Sequence, residues 1–145
     1  MTATEKPFAD GEFDLAVAAW MLYHVADLER ALVEIARVLR PGGRLVAVTS
    51  GLEHLQEIWD LAGRENGIRA FPFRTENGDE VLSRHFARVE RRDAIGWVTM
   101  DDDTLRAYVE SWEELAPALE RLPLGRPLRI RRASSIFVAD KGDAA

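Results

Sequence analysis

The sequence predicts an α/β fold with parallel strands and a closing antiparallel strand. Residues 13–19 form a nearly continuous apolar run, and residues 45–49 form a second one. An amphipathic stretch and the turn sequence of residues 40–43 lie between them. Because a strand, a helix and a strand joined by short loops make a parallel crossover, these runs predict one parallel strand–helix–strand unit. Residues 128–139 alternate and then become apolar, which is typical of an antiparallel strand that closes a sheet.

The helix between these two apolar runs is predicted to run to residue 39, with Asp27 as its N-cap. Its apolar and charged residues recur with the 3.6-residue period of a helix that packs flat on a sheet. The apolar face holds Leu28, Leu32, Ile35, Ala36 and Leu39, and the charged face holds Glu29, Arg30, Glu34 and Arg37. Pro41 and the glycine that follows it favour a type II turn after the helix.

The middle of the chain is predicted to hold a helix followed by a loop. Apolar residues at helical spacing run through residues 52–62, and Gly63 or Gly67 can end that helix. Residues 63–80 contain glycine, proline, asparagine and several charges, which predicts a loop. Loops of this kind often cap the active sites of α/β proteins.

The second half of the chain is predicted to add strands and a helical insert. Strand structure is expected across one or both of residues 85–91 and 94–100. The insert covers residues 101–122, where Ser111 and Glu114 offer a capping box for a second helical piece. Together with the loop at 63–80, this insert is a candidate cap on the acceptor side of a site.

Composition limits the classes of function. A chain of 145 residues with 47% hydrophobic content can bury one core, so residues 1–145 are expected to form a single domain. The net charge of -6 argues against nucleic acid and anionic membranes as partners. The lack of cysteine excludes disulfides and thiolate chemistry. With neither a long apolar run nor a leader pattern, a cytoplasmic location is expected.

Several segments carry a resemblance to a known family. They are residues 8–14, the strand ending at Trp20, residues 23–27 and residues 37–43. Together they resemble the later motifs of class I S-adenosylmethionine-dependent methyltransferases, most closely the small-molecule type 11 group. The resemblance implies a partial doubly wound, Rossmann-like methyltransferase sheet that is mostly parallel, with an antiparallel last strand and helices on both faces. It also implies S-adenosylmethionine as cofactor and a small-molecule methyl acceptor.

The glycine-rich loop of that family has no counterpart in this sequence. None of the 10 glycines forms a G-x-G pattern, and the matched segments begin just before the family's fourth strand. Thr2 and Lys6 stand where the family usually has an adenine-reading polar residue and a leucine. The chain is therefore interpreted as the C-terminal half of a methyltransferase, without the part that recognises adenosine.

The resemblance also nominates site residues. Ala18, Ala19 and Trp20 end a strand where a doubly wound sheet opens its ligand crevice, which makes them candidates for cofactor binding. Tyr23 and His24 follow as catalytic candidates, because a phenol can donate a hydrogen bond and an imidazole can take up a proton. Packing and helix-entry hydrogen bonds are the plainer explanation for both. A sulfonium is already a strong methyl donor, so positioning of the reactants supplies much of the acceleration.

The other residues that could carry chemistry have structural explanations. His54 and His85 have no second ligand at metal-binding spacing, so no metal site is predicted. Asp101, Asp102 and Asp103 fit the start of a helix, where negative charge is favoured.

Three hypotheses about function follow. The first is a methyltransferase whose chain lacks its N-terminal half, and the second is a non-enzymatic binding or regulatory subunit derived from one. The third, an α/β hydrolase, is disfavoured because the sequence has no G-x-S-x-G elbow. In the family arrangement another strand covers the strand at 13–20, so we expect it to pair here with a second copy or with an N-terminal partner.

Overall fold

The computed structural model describes residues 7–143 as a four-stranded mixed sheet with helices. The strands are β1 (Phe13–Ala19), β2 (Leu39–Ser50), β3 (Arg88–Met100) and β4 (Leu128–Asp140), in the sheet order β1-β2-β4-β3. The α-helices are α1 (Leu28–Val38), α2 (Gln56–Ala62), α3 (Thr75–Ser83) and α4 (Asp102–Glu110). Three 3-10 helices cover Leu22–His24, Gly67–Ala70 and Glu113–Arg121.

The unit β1–α1–β2 forms as predicted. β1 and β2 are parallel, with Ala16 beside Leu45 and Ala18 beside Ala47. Asp27 caps α1, because its Oδ1 accepts a hydrogen bond of 3.1 Å from the Arg30 N–H. The turn before the second apolar run is part of β2 itself, and Gly42 has the positive φ (75°) that the sequence predicted there.

The sheet closes with an antiparallel strand, also as predicted. β4 pairs antiparallel with β2 from Ser134 beside Ser50 to Asp140 beside Arg44. β3 lies beyond β4 at the edge, and it is one strand where the sequence predicted two segments. The predicted α/β, Rossmann-like fold class is confirmed.

The chain divides into two compact units. The first unit comprises residues 1–51, 71–93 and 134–145, and the second comprises residues 52–70 and 94–133. Whether both unfold together, as the single-domain expectation requires, stays a prediction.

The core of the first unit lies on one face of the sheet, where α1 and α3 supply apolar side chains. Ala47 and Phe137, neighbours on β2 and β4, are fully buried, and the Phe137 ring lies 5.5 Å from that of Phe73. Glu34 was predicted on the exposed face of α1 but is buried, because Arg37 folds back to form an ion pair with it (3.1 Å).

The prediction that residues 63–80 form a loop is wrong. They contain the 3-10 helix at 67–70 and the start of α3. Asn77 supports that start, because its side-chain oxygen accepts from the Arg74 N–H (2.8 Å) and its amide donates to the Pro72 carbonyl (2.9 Å). Gly78 is required within the helix, since a Cβ there would lie 2.3 Å from the Phe137 ring.

The second unit packs short helices around the buried Trp59 and Leu115. Asp101 caps α4 by accepting from the Thr104 N–H (2.8 Å), as predicted. The capping box predicted at Ser111 and Glu114 is wrong, because the following piece is a 3-10 helix whose N-cap residue is Trp112, with no side-chain cap.

One face of β1 is uncovered in the described residues. Leu15 and Val17 are 53% and 65% exposed, although the apolar run predicted a strand covered on both faces. None of the helices between residues 7 and 143 has the length and hydrophobicity of a membrane span.

Candidate functional site

The carboxyl ends of β1 and β2 meet at one edge of the first unit. Ala19 lies beside Val48, and the next residue, Trp20, donates its N–H to the Val48 carbonyl at 2.8 Å. Trp20 then turns the chain out of the sheet with φ of 50°, a left-handed conformation uncommon for a bulky residue. Backbone outliers of this kind cluster at ligand sites, and this is where a doubly wound sheet binds its ligands.

The three predicted cofactor-binding residues have different environments. Ala18 is 4% exposed and belongs to the core cluster, so its side chain faces the protein interior. Ala19 is exposed, and Trp20 is 51% exposed. Of these three residues, only Ala19 and Trp20 therefore have side chains that a ligand at this edge could contact.

The two predicted catalytic residues share the 3-10 helix at 22–24. Leu22, which is 1% exposed, anchors this helix in the core. The Tyr23 and His24 rings lie 4.5 Å apart, and Tyr23 also stacks on Phe71 at 4.3 Å with nearly parallel planes. Burial raises the pKa of the Tyr23 phenol, so it is a hydrogen-bond donor at neutral pH. His24 is exposed, so its imidazole is accessible from solvent.

Residues 71–76 belong to this site, although the sequence gave no specific signal for them. The Thr49 hydroxyl at the end of β2 donates to the Phe73 carbonyl at 3.0 Å, which fixes this segment beside the strand ends. Arg74 donates from Nη1 to the Phe71 carbonyl at 3.0 Å. Its buried Nε has no hydrogen-bond partner among the described residues, and Glu76 is the nearest carboxylate at 3.7 Å. The segment therefore adds an aromatic ring and a guanidinium to the site.

A partly buried hydrogen-bond chain holds the start of α3 to β4. The Thr75 hydroxyl donates to Ser135 Oγ at 2.8 Å, and Ser135 donates to Asp93 Oδ1 at 2.7 Å. Arg91 pairs with the same Asp93 oxygen at 3.1 Å. Because Ser135 is only 1% exposed, this chain positions the segment and offers no nucleophile to a ligand.

The remaining histidines have structural partners, as predicted. His54 Nδ1 accepts the Ala133 N–H at 3.0 Å, and burial lowers the pKa of its imidazole. His85 Nε2 lies 2.5 Å from Glu29 Oε2. Residues 7–143 contain no group of three or more histidine, aspartate or glutamate side chains placed to hold a metal ion.

A surface cavity of about 560 Å³ lies elsewhere in the first unit, near the amino end of β1. Its charged lining residues are largely paired with each other, for example Arg40 with Asp14 at 2.5 Å and Arg44 with Asp140 at 2.7 Å. Because these charges already have partners, we place the candidate site at the strand ends and not in this cavity.

S-adenosylmethionine fits the described residues only in part. The exposed Ala19 and Trp20 and the half-buried Tyr23 are side chains at this edge that the methionine end or an acceptor could contact. Gly51, at the end of β2, does not serve as a ligand-approach glycine, since a Cβ there would lie 2.9 Å from Glu76 Oε2. With no G-x-G loop in the sequence, nothing here fits the adenosine end.

Known proteins share this sequence pattern and fold. Residues 1–47 match a protein-family model described as "Methyltransferase domain". A demethylmenaquinone methyltransferase from Mycolicibacterium paratuberculosis is 54% identical over 119 residues, covering 66% of this chain and 52% of that protein. The chain thus spans about half the length of this curated relative.

Solved structures extend the similarity in fold to nearly the whole chain. The YcgJ protein from Bacillus subtilis has a TM-score of 0.59 at 16% identity, covering 99% of this chain and 70% of that one. A SAM-dependent methyltransferase from Methanosarcina mazei has a TM-score of 0.52 at 17% identity, covering 99% of this chain and 66% of that one. The family model therefore confirms the resemblance to class I S-adenosylmethionine-dependent methyltransferases over residues 1–47, and the solved structures show that the chain shares their fold.

Proposed function

We propose that this chain is the acceptor-side part of an S-adenosylmethionine-dependent methyltransferase that acts on a small molecule in the cytoplasm. The observation that carries the proposal is the stack of the Tyr23 and Phe71 rings, three residues after the exposed Trp20 that follows β1 where two parallel strands end. A flat, largely apolar acceptor stacks well on such a surface. The curated relative is named for demethylmenaquinone, so we propose a quinol ring as the acceptor class.

The residues would divide the chemistry between them. S-adenosylmethionine, if bound, would supply an electrophilic methyl group for transfer to the acceptor. The Tyr23 phenol, whose pKa is raised by burial, donates a hydrogen bond to an acceptor oxygen. His24 takes up the proton that the acceptor loses. Trp20 and Phe71 orient the ring, whereas Ala18, in the core, contributes no side chain to the site.

The alternative is a non-enzymatic binding or regulatory subunit, which the lack of a G-x-G loop favours. A methyltransferase of this arrangement needs its adenosine-binding part from residues outside this sequence. Under either proposal a partner is expected along β1.

Calorimetric titration with S-adenosylmethionine and S-adenosylhomocysteine tests the proposal. We expect dissociation constants of about 1 mM or weaker, corresponding to about -4 kcal/mol, because only part of the cofactor is contacted. Trp20→Ala should abolish the heat. Trp97→Ala should leave it unchanged, because Trp97 is similarly exposed (54%) but lies in the second unit. If neither ligand gives heat at several millimolar, the result would contradict the methyltransferase proposal and favour a non-enzymatic subunit.

A further inference from the structure

Three successive backbone carbonyls just before α3 are each held by a different side chain. The carbonyls of Phe71, Pro72 and Phe73 accept hydrogen bonds from Arg74 Nη1 (3.0 Å), Asn77 Nδ2 (2.9 Å) and the Thr49 hydroxyl (3.0 Å), respectively. Residues 71–74 belong to no helix or strand. The three side chains therefore supply hydrogen bonds that regular secondary structure supplies elsewhere in a protein.

The two phenylalanines of this segment have different environments. Phe73 is fully buried, and its ring lies 5.5 Å from that of Phe137 in the core. Phe71 is only partly buried, and its ring stacks on Tyr23 at 4.3 Å with the two planes 4° apart. The core thus fixes the segment at Phe73. The direction of the Phe71 ring, two residues earlier, depends more on the hydrogen bonds to the backbone.

We propose that Thr49 and Asn77 are positioning residues that hold the Phe71 ring parallel to the Tyr23 ring. Thr49 is a buried residue of β2, and Asn77 lies in the first turn of α3, so the segment is anchored to two different elements. Arg74 cannot replace them, because it belongs to the same segment and would move with it. All of these residues lie in the first unit.

The consequence for the candidate site is a stacking surface that exists before any ligand binds. Side chains that are already ordered lose less conformational entropy on binding, so a flat ligand is bound more tightly by such a surface. Thr49 and Asn77 act through backbone carbonyls and need not contact that ligand. Their importance for methyl transfer rests on the proposed function, whereas their effect on the two rings does not.

Asn77→Asp separates this positioning role from simple helix capping. The Asn77 side-chain oxygen accepts the Arg74 N–H at 2.8 Å, and an aspartate keeps that acceptor. Because negative charge is favourable in the first turn of a helix, capping alone predicts unchanged or higher thermal stability. The substitution also replaces the amide that donates to the Pro72 carbonyl with an oxygen, and two oxygens without a proton between them repel. Positioning therefore predicts that the segment shifts and the stack is lost.

NMR of the full chain with ring-labelled tyrosine measures the stack, because the sequence contains two tyrosines, Tyr23 and Tyr108. Tyr108 lies in the second unit and is the internal control. Phe71→Leu defines the position of the Tyr23 ring signals without the stack. Thr49→Val and Asn77→Asp should each shift these signals toward that position. Thr49→Ser keeps the hydroxyl and should leave them at the natural position.

The outcomes that would overturn the proposal are specific. Tyr23 signals that stay in place in both Thr49→Val and Asn77→Asp, while those of Phe71→Leu shift, would overturn it. Unshifted signals in Phe71→Leu would also overturn it, because the stack would then be absent in solution. If Thr49→Val unfolds the chain, Asn77→Asp decides alone. No cofactor is used, so a failure of S-adenosylmethionine to bind would contradict the proposed function and leave this result standing.

Discussion

The two compact units bury their cores by different means. In the first unit the parallel and antiparallel registers of β1, β2 and β4 fix the positions of the core residues, and α1 and α3 cover one face. In the second unit α2, α4 and the 3-10 helix at 113–121 have seven, nine and nine residues, and side-chain packing joins them. Helices this short are marginal alone, so the second unit depends more on each packed side chain.

The largest expected effect on stability comes from replacing a large buried side chain in each core with alanine. Phe137→Ala removes a ring that packs on Phe73 and Gly78, and should cost about 3–5 kcal/mol of unfolding free energy. Leu115→Ala, the matched change in the second unit, should cost about 2–5 kcal/mol. Hydrogen exchange followed by mass spectrometry should show faster exchange in the changed unit. Equal acceleration in both units would contradict the division and favour a single cooperative domain.

Substitution of two glycines, one in each unit, is expected to change stability by a smaller amount. Gly78→Ala gains about 1 kcal/mol of helix propensity. It also places a Cβ 2.3 Å from the Phe137 ring, and overpacking typically costs about 1–3 kcal/mol, so a net loss is expected. Gly67→Ala meets Trp59 at 2.9 Å, so its clash should be milder. Urea midpoints measure both, and a larger loss for Gly67→Ala than for Gly78→Ala would contradict the expectation that the closer Cβ contact costs more stability.

The smallest effect depends on pH and concerns the second unit. Burial lowers the pKa of His54 below its ordinary value of 6.5, so the folded state favours the neutral imidazole that accepts the Ala133 N–H. Its contribution is fully present above pH 6.5 and is lost as the pH falls through the lowered pKa. His54→Asn keeps an acceptor without titrating, and should flatten the pH dependence of unfolding in this range. His85→Asn, in the first unit, is the control.

The sequence predicted the first unit better than the second for physical reasons. β1, α1 and β2 have long periodic runs and a cap at Asp27, so local pattern and tertiary structure agree there. Residues 63–80 have a composition typical of loops, and α3 forms because Gly78 fits against Phe137, which is 59 positions away along the chain and invisible to local periodicity.

The sequence likewise predicted some residues of the candidate site and not others. Ala19 and Trp20 lie at a recognisable strand end, and the rings of Tyr23 and His24 lie 4.5 Å apart on the 3-10 helix that follows. Phe71 and Arg74 reach the site only through a hydrogen bond from Thr49 and ring stacking on Tyr23. Those contacts depend on the folded sheet, and no spacing in the sequence encodes them. The roles assigned to these residues stay predictions until cofactor binding is measured.

The position of β4 has a consequence for how the chain folds. β4 is the last strand along the described chain, yet it lies inside the sheet between β2 and β3. Its pairing joins Arg44 to Asp140, 96 residues apart, and such non-local contacts slow folding. During synthesis the second edge of β2 therefore stays unpaired until β4, which ends at residue 140, has left the ribosome. The strands of this sheet are thus not assembled in the order in which they are synthesised.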